Sequence, residues 1–131
     1  DKYYEYPQYH TSEDNLDLVN GNQVLEALKL YQTAIQILDG SEKIKTTMPY
    51  GEVHLGGRGL YPTLGGSINP RDGCGKEKPD GADELNMILW ILFLADGSCD
   101  LIDIAERTGY QFKNLQRGMY ELVSKGLLET L

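Results

Sequence analysis

Apolar residues recur at spacings of three and four after residue 20, which predicts an amphipathic helix. Its apolar face comprises Val24, Leu28, Tyr31, Ile35 and Leu38. Asn20 is a favoured N-cap residue, and Gln23 three positions later completes a pattern resembling a capping box. Asp39-Gly40 ends the predicted helix. Residues 1–17 mix aromatic and acidic side chains, and they predict a short strand or extended segment that leads into a loop.

The middle of the chain, from about residue 48 to 83, contains nine of the fifteen glycines and four of the five prolines, which indicates turns. Polar and apolar residues alternate over 52–55, as in a short strand. Gly56-Gly57 allows a tight turn, and Leu60-Tyr61 is the predicted return strand of a β-hairpin. Residues 65–81 show no period, so we interpret them as an irregular connector.

The last stretch, from residue 83 to 131, is the most regular. Residues 87–95 are uninterruptedly apolar. This run is shorter than the ~20 residues of a membrane span, so it predicts a buried helix. Two further helices are predicted at about 100–108 and 112–124, and a strand begins at Leu127. The apolar stripe of the third helix comprises Phe112, Leu115, Met119, Leu122 and Val123.

Composition favours a globular chain. The 131 residues are 40% hydrophobic and 24% charged, and the formal net charge of −8 disfavours nucleic acid and anionic lipid as partners. No secretory signal is visible in the sequence, and the cysteine usage favours a cytoplasmic protein. Cys74 and Cys99 lack CxxC spacing and are interpreted as reduced thiols, Cys74 in a loop and Cys99 as a buried small hydrophobe.

The start of the chain indicates a piece of something larger. It opens with Asp1 rather than Met, and Tyr3, Tyr4, Tyr6 and Tyr9 make it unusually aromatic. Aromatic side chains carry a large apolar area and normally pack against other groups. We therefore expect further chain upstream of this segment.

The segment LIDIAERTG at residues 101–109 resembles the L-x-x-I-A-x-x-x-G core of winged helix-turn-helix domains. Ala105 is small where two helices cross, and Gly109 makes the turn between them. In such a domain the third helix would be the recognition helix. It offers Gln111, Lys113, Asn114, Gln116 and Arg117 as candidate base contacts. Residues 84–131 carry four Lys or Arg against seven Asp or Glu, which favours packing or protein interaction over DNA binding.

A single histidine lies in the string YHTSEDNLD at residues 9–17. A histidine beside acids is most often exposed or part of a cap, but neutral imidazole is also a good zinc donor. The oxygens of residues 11–14 are candidates to hold the other ring nitrogen or to cap the next helix. From these residues alone, both interpretations of His10 stay open.

The string resembles the C-terminal histidine motif, HTS-x-D, of zinc aminopeptidases with two co-catalytic metals. GEVHLGGRGLYPTLGG at residues 51–66 is similar to a stretch of the aminopeptidase-like proteins linked to polysaccharide biosynthesis, which also carry a C-terminal winged helix. This resemblance implies that His10 is a ligand of one of two zinc ions. It implies that the remaining ligands and the general base lie upstream, so that this chain alone holds no catalytic residue and is inactive.

The implied fold class is α+β, with three parts. Residues 1–47 would complete an α/β aminopeptidase domain, residues 48–82 would form the hairpin and connector, and residues 83–131 the winged helix. The implied partners are the upstream catalytic part and a peptide or amide substrate, and a homo-oligomer stays open. The alternative function is a non-catalytic interaction or regulatory module built on the winged helix, with DNA binding its less favoured form.

Arg58 is the candidate substrate-binding residue. It lies among Gly56, Gly57 and Gly59, where a ligand can approach the backbone closely. A guanidinium can bind a substrate carboxylate or another anion with two parallel hydrogen bonds. The simpler interpretation is a solvated arginine at a hairpin tip, or an ion pair at a domain interface.

Overall fold

The computed structural model describes residues 5–61 and 81–131, with the side chains of 81 and 82 excepted. The chain divides into two compact units, Asp1–Leu38 and Asp39–Leu131. Cys74 and most of the predicted connector lie outside the described residues, as do Tyr3 and Tyr4.

The first unit consists of turns followed by one helix. Residues 5–19 form turns and bends, so the strand predicted near the start is wrong for this described part. Helix α1 spans Gly21–Asp39, as the apolar period predicts. Asn20 Oδ1 accepts hydrogen bonds from the Asn22 and Gln23 amides at 3.1 Å, and the Asn20 amide donates to Gln23 Oε1 at 3.1 Å. The predicted capping box is therefore confirmed.

The second unit is a small antiparallel sheet with three helices. Its elements are β1 Lys43–Thr46, a 3-10 helix Gly56–Arg58, α2 Gly81–Leu94, β2 Asp96–Asp100, α3 Leu101–Thr108, α4 Phe112–Ser124 and β3 Leu128–Thr130. The sheet order is β2-β1-β3, and both pairings are antiparallel. The α+β class predicted from the sequence is confirmed, and so are the three C-terminal helices.

Strand β1 is the central strand, and the sequence analysis did not predict it. Ile44 is completely buried, whereas Lys43 and Lys45 are exposed on the other face. Lys45 pairs with Asp96 of β2 and with Glu129 of β3. Ile44 is the one apolar residue among the four of β1, which is a weak local signal for a strand. The strand therefore depends on pairing with β2 and β3, which are distant in sequence.

The predicted β-hairpin at residues 52–61 is wrong. No residue of this segment is in a strand, and Gly56–Arg58 forms a 3-10 helix instead. The Leu55 carbonyl accepts hydrogen bonds from the amides of Arg58 at 3.0 Å and Leu60 at 3.2 Å. Leu55 and Leu60 are both buried, so the segment folds back on itself to place two leucines in the core rather than pairing as strands.

The core lies between the sheet and helices α2, α3 and α4. Its largest fully buried side chains are Ile44, Met87, Ile91, Leu101, Ile104, Leu115, Met119, Leu122 and Leu127. Gly118 lies where α4 faces α2, and a Cβ there would come within 3.0 Å of Ile91 Cδ1. Cys99 is a free thiol, 3% exposed, as predicted. The 3-10 turn and helix α2 are both anchored in this core, through Leu55 and Leu60 and through Met87 and Ile91.

Candidate functional site

His10 occupies a strained backbone conformation in the first unit. Its φ of 58° is the only positive value for a non-glycine residue in the described chain. The side chain is exposed, and its ring meets the Tyr9 ring edge-on with centroids 4.3 Å apart. A left-handed backbone conformation is unfavourable for a residue with a Cβ. The turn therefore holds His10 at a φ that an unfolded chain would rarely adopt.

The turn around His10 is built by local hydrogen bonds. Thr11 Oγ1 donates to the Gln8 carbonyl at 2.8 Å and accepts from the Glu13 amide at 3.2 Å. The Tyr9 amide donates to the Tyr6 carbonyl at 3.2 Å. The Thr11 hydroxyl is therefore committed to the turn, and Asn20 rather than residues 11–14 caps the next helix. These bonds support the backbone of His10, whereas no residue of the turn holds its second ring nitrogen.

A zinc ion needs more donors than this turn offers. Across the described residues, no three histidine, cysteine, aspartate or glutamate side chains come together as a metal site. Structural and catalytic zinc sites use at least three protein ligands. The described residues do not by themselves form a zinc site, and the ligand role of His10 stays a prediction.

Arg58, in the second unit, is held by the 3-10 turn. The Gly59 amide donates to the Gly56 carbonyl at 3.3 Å, and Gly59 adopts a φ of 70° that glycine accommodates. The His54 ring packs beneath the turn, because a Cβ on Gly57 would lie 3.2 Å from His54 Nδ1. The His54 ring thus packs against one side of the turn that carries Arg58.

The guanidinium of Arg58 lacks a carboxylate partner among the described residues. Among residues 5–61 and 81–131, its buried Nε has no hydrogen-bond partner, and Nη2 donates to Met48 Sδ at 3.6 Å. A thioether sulfur is a weak acceptor. The prediction that Arg58 is a hairpin-tip residue is wrong, since the turn is a 3-10 helix and the side chain is partly buried. Its role in binding an anion stays a prediction.

The third helix of the winged helix, α4, does not present a free basic face. Arg117 Nη2 donates to Glu84 Oε1 at 2.7 Å. Asn114, a candidate base contact, is buried. Lys113 remains exposed. One of the two cations of α4 is therefore paired within the chain, and the prediction on DNA binding stays untested.

A groove of about 740 Å³ runs along the outer face of α2 in the second unit. Sequence reasoning missed it. Its walls are mostly apolar, and they include Met48, Pro49, Val53, Leu89, Trp90 and Phe93. Phe93 is 76% exposed, and its ring lies edge-on to Trp90 with centroids 5.9 Å apart. The apolar run at residues 87–95 was the sequence signal for this groove. A helix that is apolar all round cannot bury every face against a sheet of three short strands, so one apolar face stays at the surface.

Three helices and a three-stranded antiparallel sheet define the winged helix-turn-helix class, and residues 42–130 match that family. The chain therefore belongs to the winged helix-turn-helix family. Residues 1–41 match a second family, described as a domain of unknown function, DUF4910. No helix in the described ranges is both long and apolar enough to cross a membrane.

A longer relative and a longer chain of known structure, both from Clostridium acetobutylicum, resemble the chain. A relative provisionally named a polysaccharide biosynthesis protein with aminopeptidase-like domain is 32% identical over 113 residues, which are 86% of this chain and 24% of the relative. A crystal structure of a provisionally assigned peptidase superposes with a TM-score of 0.73 at 26% identity, covering 98% of this chain and 25% of that one. The chain thus spans about a quarter of the length of the proteins it matches.

The comparisons confirm the coarser part of the resemblance seen in the sequence. The chain is similar to proteins named as aminopeptidase-like or as a peptidase, and it carries a winged helix. The two-zinc chemistry, the substrate and the roles of His10 and Arg58 stay predictions. The domain boundaries predicted at 47–48 and 82–83 also stay predictions.

Proposed function

We propose that the chain is the C-terminal region of a zinc-dependent aminopeptidase-like hydrolase, and that His10 supplies one zinc ligand. The observation that carries the proposal is the exposed imidazole of His10, presented in a strained turn, in a chain similar to an aminopeptidase-like protein. Strained residues cluster at ligand-binding sites, where the surrounding structure must over-determine them. In this interpretation the turn places the ring ready to meet a metal held by the rest of the protein.

The chain's own contribution is one donor and no catalytic group. A pair of bound zinc ions would activate water and polarise the carbonyl of a terminal peptide bond. The hydrogen bonds of Thr11 Oγ1 and of the Tyr9 amide restrict the backbone on either side of His10. Because the other ligands come from residues outside this chain, the isolated chain neither holds zinc at this site nor hydrolyses peptides.

The test uses the full-length protein and the substitution His10→Ala. We expect purified protein to lose about half or more of its zinc, measured by mass spectrometry of the metal, together with aminopeptidase activity on peptide amides. His10 is exposed, so folding should be preserved. His54→Ala is the matched control, because His54 packs beneath the Gly56-Gly57 turn and should leave the zinc content unchanged. Unaltered zinc in the His10 variant would contradict the proposal.

The alternative is a non-catalytic interaction module, and the groove on α2 favours it. An exposed Phe93 beside Trp90 offers apolar area that a partner can bury. DNA is the less favoured partner, because Arg117 is paired with Glu84 and the whole chain carries a charge of −8. Full-length protein that contains no zinc as purified and gains none would favour this alternative.

A further inference from the structure

The sulfur atoms of the chain differ sharply in exposure. The sequence contains three methionines, Met48, Met87 and Met119. Met87 and Met119 are completely buried in the core, whereas Met48 is 43% exposed. Cys99, the thiol in the described part of the chain, is 3% exposed. A dissolved oxidant therefore reaches one thioether of the three, and among residues 5–61 and 81–131 no other sulfur is open to it.

Met48 differs from an ordinary surface methionine in one contact. Arg58 Nη2 donates a hydrogen bond to Met48 Sδ at 3.6 Å. A thioether sulfur is bonded to two carbons and keeps two lone pairs, which point to different sides of the side chain and act as weak acceptors. A guanidinium on one lone pair shields that side of the sulfur, so a reagent from solvent approaches the other side.

The backbone holds both ends of this contact. The Met48 amide donates to Thr46 Oγ1 at 3.2 Å, directly after strand β1. Arg58 lies in the 3-10 helix, where its amide donates to the carbonyl of the buried Leu55 at 3.0 Å. Because the two residues belong to anchored segments of the second unit, the guanidinium meets the sulfur from one fixed direction.

The sulfur also lies at the wall of the α2 groove. Met48 lines this groove together with Leu89, Trp90 and Phe93. Oxidation converts the flexible apolar side chain of methionine into a polar and chiral one. A sulfoxide at Met48 therefore makes part of an apolar wall polar, so the surface that the groove presents depends on the oxidation state of one sulfur.

We propose that Met48 is a modification site for peroxides, and that Arg58 makes its oxidation stereoselective. One oxygen of hydrogen peroxide bonds to Sδ as the O–O bond breaks. The sulfur loses two electrons, and the second oxygen leaves with both protons as water. The lone pair that Arg58 leaves open determines which of the two sulfoxide epimers predominates. Methionine sulfoxide reductases restore the thioether, so the modification is reversible and does not depend on zinc.

The test treats the folded full-length protein with hydrogen peroxide and measures the gain of one oxygen atom at each methionine by peptide mapping and mass spectrometry. We expect Met48 to be oxidised at least about tenfold faster than Met87 and Met119, because oxidation follows exposure. After digestion, separate samples are repaired with the two classes of reductase, each of which acts on one epimer. We expect one epimer in about threefold excess, the ratio that a weak hydrogen bond supports.

Variants separate the role of Arg58 from that of exposure. Arg58→Ala should leave Met48 reactive but bring the two epimers to nearly equal amounts, and Arg58→Lys should restore part of the excess. Arg107→Ala is the matched control, since this exposed arginine on α3 should leave the epimer ratio unchanged. Circular dichroism checks that each variant is folded.

Three results would overturn the proposal. The first is oxidation of Met48 no faster than that of Met87 and Met119, as a sulfur covered by the rest of the parent protein would show. The second is an equal yield of the two epimers in the protein with Arg58 in place. The third is an excess of one epimer that survives Arg58→Ala, which would assign the selectivity to other groups around the sulfur.

Discussion

Asp100 shows how one side chain sets an element boundary. Its Oδ1 accepts hydrogen bonds from the amides of Ile102 at 2.8 Å and Asp103 at 2.9 Å, and Asp103 Oδ2 accepts from the Asp100 amide at 3.1 Å. This reciprocal arrangement is a capping box that starts α3 where β2 ends. Unsatisfied amides at a helix start are costly, so the side chain determines where the chain changes from strand to helix.

Replacing Asp100 by alanine should therefore lower the free energy of unfolding by about 1 kcal/mol, within the 0.5–2 kcal/mol typical of lost caps. Urea unfolding followed by circular dichroism measures the change. The control is Glu106→Ala on the same helix, where the side chain is exposed and contributes no cap. A loss below the experimental error for the Asp100 variant would show that Ser41 Oγ, which lies 3.2 Å from the Ile102 amide, suffices as the acceptor.

At the scale of elements, helices α2 and α4 approach closely at Gly118. A Cβ at this position would come within 3.0 Å of Ile91 Cδ1 and 3.1 Å of Met87 Cε. Gly118 is buried, so the missing side chain is what lets the two helices pack. A glycine within a helix costs about 1 kcal/mol relative to alanine, a cost that the close approach offsets here.

Gly118→Leu should destabilise the second unit by about 1–3 kcal/mol or more, since a large side chain must displace both neighbours. Gly118→Ala is the informative companion. Its gain in helix propensity of about 1 kcal/mol opposes the crowding by two flexible side-chain ends, so its net effect should be small. Urea unfolding of both variants measures the difference. Similar stability of the leucine variant and the parent chain would show that α2 and α4 separate more easily than their packing indicates.

At the scale of the whole molecule, α1 of the first unit carries an exposed apolar face. Its exposed large hydrophobics are Val24, Leu25, Leu28, Leu30, Tyr31, Ile35 and Leu38. An apolar face of this size on a single helix normally packs against another element. The proposed function supplies the covering surface, namely the upstream catalytic part of the parent protein.

The double substitution Tyr31→Ser and Ile35→Ser tests that assignment. In this chain we expect no change in the unfolding of the second unit, because both side chains are more than half exposed. In the full-length protein the same pair should lower stability by about 2–5 kcal/mol, as large-to-small changes in a core do. Thermal unfolding of both proteins, with and without the pair, gives the comparison. If the double substitution changes the stability of neither this chain nor the full-length protein, the apolar face of α1 is not covered in the full-length protein.

Local signals determined the helices and, for α1 and α3, their ends, whereas α2 begins at Gly81, before the apolar run that predicted it. The capping pattern at Asn20 and the apolar period set α1, and the LIDIAERTG segment set α3 and its turn at Gly109. These signals involve residues within a few positions of one another, so they can be read along the chain. The winged helix class followed from the same signals, and the match over residues 42–130 confirms it.

Tertiary structure decided the features whose partners are distant in sequence. Strand β1 exists because β2 and β3 pair with it from positions more than fifty residues away, and the sequence analysis instead placed a hairpin where Leu55 and Leu60 turn into the core. The contact of Arg58 with Met48, the ion pair of Arg117 with Glu84 and the groove at Trp90 likewise arise only when separate segments meet. His10 is a case between the two. Its residue type and motif are local, whereas under the proposed function the other ligands of its zinc site come from residues outside this chain. Contacts between distant segments leave no periodic trace, which is why the chain's pattern predicts its helices and not its sheet or its surface groove.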